Sequence, residues 1–198
     1  MAMEFWFEFA STYSYPAAMR IEKLSSEAGI PLVWRPFLLG PIFAQQGWDT
    51  SPFNIYVAKG NYMWRDLERT CEELELAFRK PTVFPRNGLL AARIACAFAE
   101  GPWISDFVRG VYVANFARDE EISDPGVLGS VLASVGQDAD AIIERAQTPE
   151  SKALLRAQSQ KAVEYGIFGA PTVRVGRELF WGNDRIEAAM RWHRRSAD

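Results

Sequence analysis

Hydrophobic and polar positions alternate at the start of the chain, with Phe5, Phe7 and Phe9 on one face and Glu4, Trp6 and Glu8 on the other. A period of two built on aromatic side chains predicts a β-strand over Met3 to Phe9. The period then changes. Ala17, Met19, Ile21 and Leu24 lead to Ala28 at helical spacing, and Gly29 can take the left-handed conformation that ends a helix. Ser14 is a candidate N-cap, and Pro16 suits an early helical position where a missing N–H costs nothing. Leu32 to Phe37 reads as a second strand, ended by Gly40-Pro41. Strand, helix and strand with tight joints make a βαβ unit whose strands are parallel.

Pro41 to Tyr62 reads differently, as a long connection with Gly47, Pro52, Gly60 and several aromatic residues. Connections of that length inside a domain are often functional loops. Helical periodicity then dominates: Tyr62 to Phe78, Leu89 to Phe98, Trp103 to Phe116, Val127 to Val135, Asp138 to Ala146 and Glu150 to Tyr165. Asp124-Pro125 is a natural cap pair, and the last of these helices starts after Thr148-Pro149. The strand period returns in Ala170 to Gly176 and Arg177 to Trp181, a hairpin around Gly176, and Gly182-Asn183-Asp184 is expected to cap a last helix over Arg185 to His193. The order predicts an α/β fold with a mixed four-stranded sheet, in the outline of a thioredoxin-like fold with a large all-helical insertion. Residues 1–40 and 166–198 would form the thioredoxin-like domain, and 41–165 the connecting loop and inserted helices. A generic α/β domain fits the same pattern.

Composition narrows the function classes. The 198 residues are 48% hydrophobic and 24% charged, with a net charge of -3 and no concentrated basic stretch. Nucleic-acid binding is not expected. Cys71 and Cys96 lie in separate helical patterns and His193 is the lone histidine, so neither a disulfide framework nor a zinc site is expected. Met1 to Phe9 carries no basic stretch and does not read as a signal peptide, and no apolar run is long enough for a bilayer. The expected compartment is the cytoplasm.

The first candidate for chemistry is the turn Ser11 to Ser14. A helix amino end offers free N–H groups and a positive partial charge, which favour an anion such as a thiolate. The alternative is that Ser11 and Ser14 only cap the helix. The lone histidine at the far end of the chain and the absence of a Gly-x-Ser-x-Gly run argue against a Ser-His-Asp hydrolase. Pro171, at a strand start, is a candidate cis proline that would present the backbone of Ala170. Asn183 and Asp184 are candidates either for capping or for an ammonium group. Trp48, Thr50, Asn54 and Lys59 mix aromatic and polar groups in the long connection.

Several runs carry a family resemblance. Ser11-Thr-Tyr-Ser14 is similar to a Ser-Pro-Tyr-Ser turn, Gly166-Ile-Phe-Gly-Ala-Pro-Thr172 to a Gly-x-Phe-Gly-x-Pro run, and Phe180-Trp-Gly-Asn-Asp-Arg185 to a Phe-x-Gly-x-Asp-Arg run. Leu38-Leu-Gly40, Lys59, and Tyr62-Met63 with Arg65-Asp66 add to them. Together the chain resembles the 2-hydroxychromene-2-carboxylate isomerases, grouped with the kappa-class glutathione transferases. Thr12 and Val57 stand where that family commonly has proline, and Trp48 to Pro52 departs from its Gly-Asn-x-Pro-Pro.

The resemblance implies glutathione as cofactor and a small aromatic-derived 2-oxo acid as substrate. Ser11 would hydrogen-bond the glutathione sulfur, and Ala170, before a cis Pro171, would pair with the cysteinyl part. Asn183 and Asp184 would hold the γ-glutamyl end, and Lys59 and Thr50 the remaining polar groups. Phe43, Trp48, Phe53 and Tyr62 would line the apolar side, with Trp6 either there or in the core. A homodimer is implied as well. Wider relatives carry Cys-x-x-Cys at this turn; here no protein thiol stands there to attack a disulfide, so disulfide exchange is not expected. The alternative is a transferase or peroxidase acting on other electrophiles.

Overall fold

The computed structural model describes residues 2–196. Strands β1 (Met3–Phe7), β2 (Leu32–Pro36), β3 (Thr172–Val175) and β4 (Glu178–Trp181) form one four-stranded sheet in the order β2-β1-β3-β4. β1 is parallel to β2, with Phe5 opposite Trp34, and antiparallel to β3, with Trp6 opposite Thr172. β3 and β4 form the expected antiparallel hairpin, turning at Gly176 with φ 61°. Helix α1 (Ser14–Glu27) joins β1 to β2 and stops before Gly29, whose φ is 66°. Between β2 and β3 lie α2 (Gly40–Gln45), α3 (Pro52–Ile55), α4 (Val57–Glu73), α5 (Leu89–Ala97), α6 (Ile104–Phe116), α7 (Pro125–Ser134), α8 (Ala139–Ala146) and α9 (Pro149–Glu164). A 3-10 turn (Asn183–Arg185) leads into α10 (Ile186–Arg195). This is the thioredoxin-like architecture with a large helical insertion.

Both faces of the sheet are covered, which explains the one misleading feature of the β1 pattern. Phe5, Phe7 and Phe9 enter the main core beside Ile21 of α1 and Phe107 and Val111 of α6. Each such burial contributes about 2 kcal/mol. Trp6 points the other way but is 1% exposed, edge-on to Phe37 and Tyr165 in a second cluster with Ile42 of α2 and Ala162 of α9. It is core rather than ligand surface. Glu4, on that same face, is ion-paired to Arg35 at 3.2 Å and Arg174 at 2.8 Å.

The connection expected over Pro41 to Tyr62 is largely helical. It contains α2 and α3, and α4 starts at Val57 and ends at Glu73 instead of spanning Tyr62 to Phe78. Gly60, which reads as a loop signal, lies buried in α4 where a Cβ would come within 2.2 Å of the Phe53 carbonyl oxygen. The glycine is there to let α3 and α4 touch.

Cap chemistry is mixed. Asp124, Asp138 and Thr148 accept from the backbone N–H of Gly126, Ala141 and Ser151, as their positions imply. Ser14 does not cap: it sits inside the first turn of α1, and the N-cap residue, Tyr13, makes no side-chain cap bond. Neither Asn183 nor Asp184 caps α10 by its side chain. Asn183 is instead gripped by α1, its Oδ1 accepting from Arg20 Nε at 2.9 Å.

Candidate active site

β1 ends at Phe7, and the chain turns through Glu8 to Tyr13 before α1 begins. The turn is closed by the Ser11 N–H donating to the Glu8 carbonyl at 3.0 Å. Because β1 and β3 are antiparallel neighbours, this turn faces the segment entering β3. The Ser11 hydroxyl donates to the Ala170 carbonyl at 2.8 Å, and the Ala170–Pro171 peptide bond is cis. Two further contacts fix the turn to α4. The Thr12 hydroxyl donates to the Met63 sulfur at 3.0 Å, and the Tyr13 hydroxyl to the Asp66 carboxylate at 2.9 Å.

A cleft of about 590 Å³ opens over this junction. It brings together Ser11, Phe43, Trp48, Thr50, Phe53, Lys59, Tyr62 and Ala170. An adjoining hollow of about 240 Å³ shares Tyr13, Ala170 and Trp181 with it and adds Pro171, Asn183 and Asp184. Residues singled out in the sequence on separate segments thus meet in one place. Phe43 lies 5.9 Å from Trp48, and Tyr13 lies 6.4 Å from Phe53, between ring centres. Lys59 stands over the Tyr56 ring at 5.6 Å, and Thr50 accepts from Asn54 Nδ2 at 3.1 Å. Asp184 is exposed and ion-paired to Arg185 at 3.0 Å.

Sequence reasoning passed over other residues of the cleft. Phe168 and Trp181 pair edge-on at 5.0 Å on its rim, each about half exposed. Arg86 also lines the cleft, with its guanidinium buried. It donates to the Asn115 carbonyl and side-chain oxygen at 3.2 Å each, and pairs with Asp119. Asn115 donates in turn to the Phe9 carbonyl at 3.1 Å, which ties this charge cluster to the end of β1. The Thr82 backbone N–H and the Arg86 guanidinium hold the Asp119 carboxyl down to about 2. Glu8 also lines the cleft, and burial pushes its carboxyl up to about 7 against the opposing pull of the Ala10 and Ser11 backbone N–H groups. The sequence signal for Glu8 was an acidic residue at the mouth of an aromatic strand, and for Arg86 a cation just after Phe84-Pro85, a second cis bond.

The turn offers hydroxyls and backbone N–H groups but no thiol. Cys71 and Cys96 are free and stand on α4 and α5, and burial pushes both thiols up to about 11. Among the described residues no group of three or more His, Cys, Asp or Glu could hold a metal ion, and no helix is long and apolar enough to cross a membrane.

Residues 2–191 match the DSBA-like thioredoxin domain. The chain belongs to the DSBA-like thioredoxin family. Within it, the chain is 29% identical over 187 residues to a 2-hydroxychromene-2-carboxylate isomerase of Sphingobium xenophagum, covering 93% of this chain and 94% of that one. It is 25% identical over 199 residues to glutathione S-transferase kappa 1 of Homo sapiens, covering 93% and 87%. A solved 2-hydroxychromene-2-carboxylate isomerase superposes with a TM-score of 0.87 at 25% identity, over 100% of this chain and 98% of that one. This DSBA-like chain is thus related to those isomerases and to kappa-class transferases, and that kinship supports an enzymatic role.

Proposed function

We propose that the chain is a glutathione-dependent isomerase that interconverts 2-hydroxychromene-2-carboxylate and trans-o-hydroxybenzylidenepyruvate, or a close analogue. The observation that carries the reading is the pairing of Ser11 with the Ala170 carbonyl beside cis Pro171, at the floor of a cleft whose turn has no cysteine. A catalyst built this way must import its sulfur. The named isomerase relatives point to the substrate class.

The residues present fit a tripeptide thiol. Its ammonium end suits the hollow that holds Asp66 and Asp184, and a carboxylate end suits Lys59 across the cleft. Bound there, glutathione supplies a sulfur nucleophile that adds reversibly to a conjugated carbon, so that a double bond becomes single and can turn. The protein's part is then to bind and orient. Ser11 donates its hydroxyl to the sulfur, and the start of α1 adds its positive partial charge. The Ala170 backbone, set by Pro171, pairs with the cysteinyl unit, while Asn183 and Asp184 hold the γ-glutamyl end. Lys59 and Thr50 take the remaining polar groups. Phe43, Trp48, Phe53 and Tyr62 grip the aromatic part of the 2-oxo acid and exclude water.

A second reading, transfer of glutathione to other electrophiles, draws on the same aromatic wall, which suits any flat apolar partner. One experiment separates them. The protein is given glutathione and 2-hydroxychromene-2-carboxylate, and both the ultraviolet spectrum and the free thiol are followed. Isomerisation that requires glutathione and consumes none supports the first reading. Loss of thiol into a stable conjugate supports the second, and no glutathione-dependent change sinks both. We also read the chain as a cytoplasmic homodimer. A light-scattering mass equal to a single 22.3 kDa chain at micromolar protein overturns the dimer.

A further inference from the structure

Glu8 is the first residue past β1, and its side chain folds back onto the turn that presents Ser11. The carboxylate accepts from the Ala10 N–H at 2.9 Å, and the Ser11 N–H also draws on it. Its backbone is held as firmly, since the carbonyl accepts from the Ser11 N–H at 3.0 Å and from the Tyr112 hydroxyl of α6 at 2.9 Å. The carboxylate is thus held against the turn that carries Ser11, and both residues line the cleft. Gly88, in the loop before α5, faces it without a side chain. A Cβ there would lie 3.7 Å from Glu8 Oε1 and only 2.8 Å from the Phe9 Cβ. The approach to the carboxylate is left open on that side.

We propose that Glu8 exchanges the proton of the thiol bound beside Ser11. The S–H bond breaks, the electron pair stays on sulfur, and the proton passes to a Glu8 carboxylate oxygen to give a neutral carboxyl. The same proton returns when the sulfur is released. The proposal rests on the thiol-dependent reading above and assigns to a part-buried acid the step that Ser11, a hydrogen-bond donor, does not perform.

The surroundings suit the task. Burial sets the carboxyl near 7, so that it gives and takes a proton close to neutrality, where general acid–base groups work best. Tyr112 of α6 reaches the Glu8 backbone, and the titratable and charged groups that share the cleft with Glu8 are Arg86 from the loop before α5, Lys59 from α4, Asp49 and Tyr13. Tyr112 is kept neutral, its hydroxyl pushed well above the usual phenol range by burial and by Glu8 itself. Arg86 is engaged with Asn115 and Asp119.

The test counts protons. Glutathione is mixed with wild type, Glu8→Gln and Glu8→Asp in weak buffer at about pH 7.5, below the ordinary thiol range. Ultraviolet absorption reports thiolate, an indicator dye reports protons released, and calorimetry reports binding. Glutamine keeps an acceptor for the Ala10 N–H but cannot take up a proton. Wild type is expected to form thiolate and release few protons. Glu8→Gln is expected either to release about one proton per thiolate or to bind glutathione as the thiol, with turnover down about a hundredfold. Glu8→Asp should restore part of the proton uptake. Equal ionisation midpoints and equal proton release in wild type and Glu8→Gln overturn the proposal while leaving glutathione as cofactor. No binding to wild type overturns the thiol-dependent reading and this proposal with it. Should Glu8→Gln fail to fold, carbon-13 carboxyl resonances of the wild type decide. A Glu8 signal that moves to its protonated position when glutathione binds supports the proposal, and one that stays put overturns it.

Discussion

The Ser11 hydroxyl donates to the carbonyl of Ala170 at 2.8 Å across 159 positions of sequence. In this arrangement the serine proton points at the very backbone group proposed to receive the cysteinyl unit. A ligand N–H that takes over the Ala170 carbonyl frees the Ser11 hydroxyl to turn to sulfur. Substitution Ser11→Ala removes that donor while the turn's backbone bonds, from Ser11 N–H to Glu8 and from Ser14 N–H to Ser11, remain. The variant is expected to fold, to raise the pKa of the bound thiol and to slow turnover by about ten- to a hundredfold, the worth of a hydrogen bond to a charged partner. Ultraviolet titration of bound glutathione in the two proteins checks it, and an unchanged thiol pKa with unchanged rate refutes it.

Glu8 also makes stability depend on pH. Its carboxyl stands at about 7 in the fold against an ordinary glutamate value of 4.5, so the folded chain binds the proton more tightly than the unfolded one. The stabilisation is complete below about 4.5 and declines as pH rises through about 7, by up to about 3 kcal/mol. Denaturant titrations from acid to mildly alkaline pH should show this decline in wild type and not in Glu8→Gln. A wild type whose pH dependence matches that of the variant contradicts the assignment.

Gly60→Ala drives a Cβ into the Phe53 carbonyl, 2.2 Å away, and must push α3 from α4. Overpacking of this kind costs about 1–3 kcal/mol. Since Phe53 and Lys59 line the cleft, KM for the proposed aromatic 2-oxo acid should rise more than kcat falls. Thermal unfolding and steady-state kinetics of the variant test both parts together. A KM equal to wild type would show that α3 does not shape the cleft.

Replacing both Cys71 and Cys96 by Ala leaves the turn at Ser11 untouched. Burial already keeps both thiols protonated near neutrality, with values near 11. Glutathione-dependent turnover should be retained within about twofold, with a stability loss of about 1 kcal/mol for the small volumes removed. Loss of turnover in a folded double variant places a cysteine in the chemistry and contradicts the imported-sulfur reading.

How far the sequence foretold these arrangements depends on what each residue faces. The β1 alternation, the Gly29 and Gly176 turns, the capped start at Asp124 and the helix start after Thr148-Pro149 are local features and were legible. Trp6 was ambiguous because alternation marks two faces but not whether both are covered. Gly60 misled because glycine signals a turn in sequence and a close helix contact in space. Ser14 looked like a cap because cap residues are recognised by type, whereas the turn from Ser11 closes through backbone bonds. Glu8 and Arg86 went unread because their character comes from burial among residues far along the chain, and a string of letters does not display burial.

The sheet order has a consequence for how the protein is made. β1 lies between β2 and β3, so its outer edge waits for a strand that begins at Thr172. During synthesis β2 is the only sheet neighbour of the aromatic strand available until β3 has been made, so the other edge of β1 lacks its partner while the helices of the middle emerge. The junction of Ser11 with Ala170 closes only once the final hairpin has left the ribosome. Such distant pairings form slowly and leave a sticky edge in the meantime. A nascent chain halted before that hairpin therefore exposes the bare edge of β1 and lacks the Ser11–Ala170 junction on which the proposed site is built.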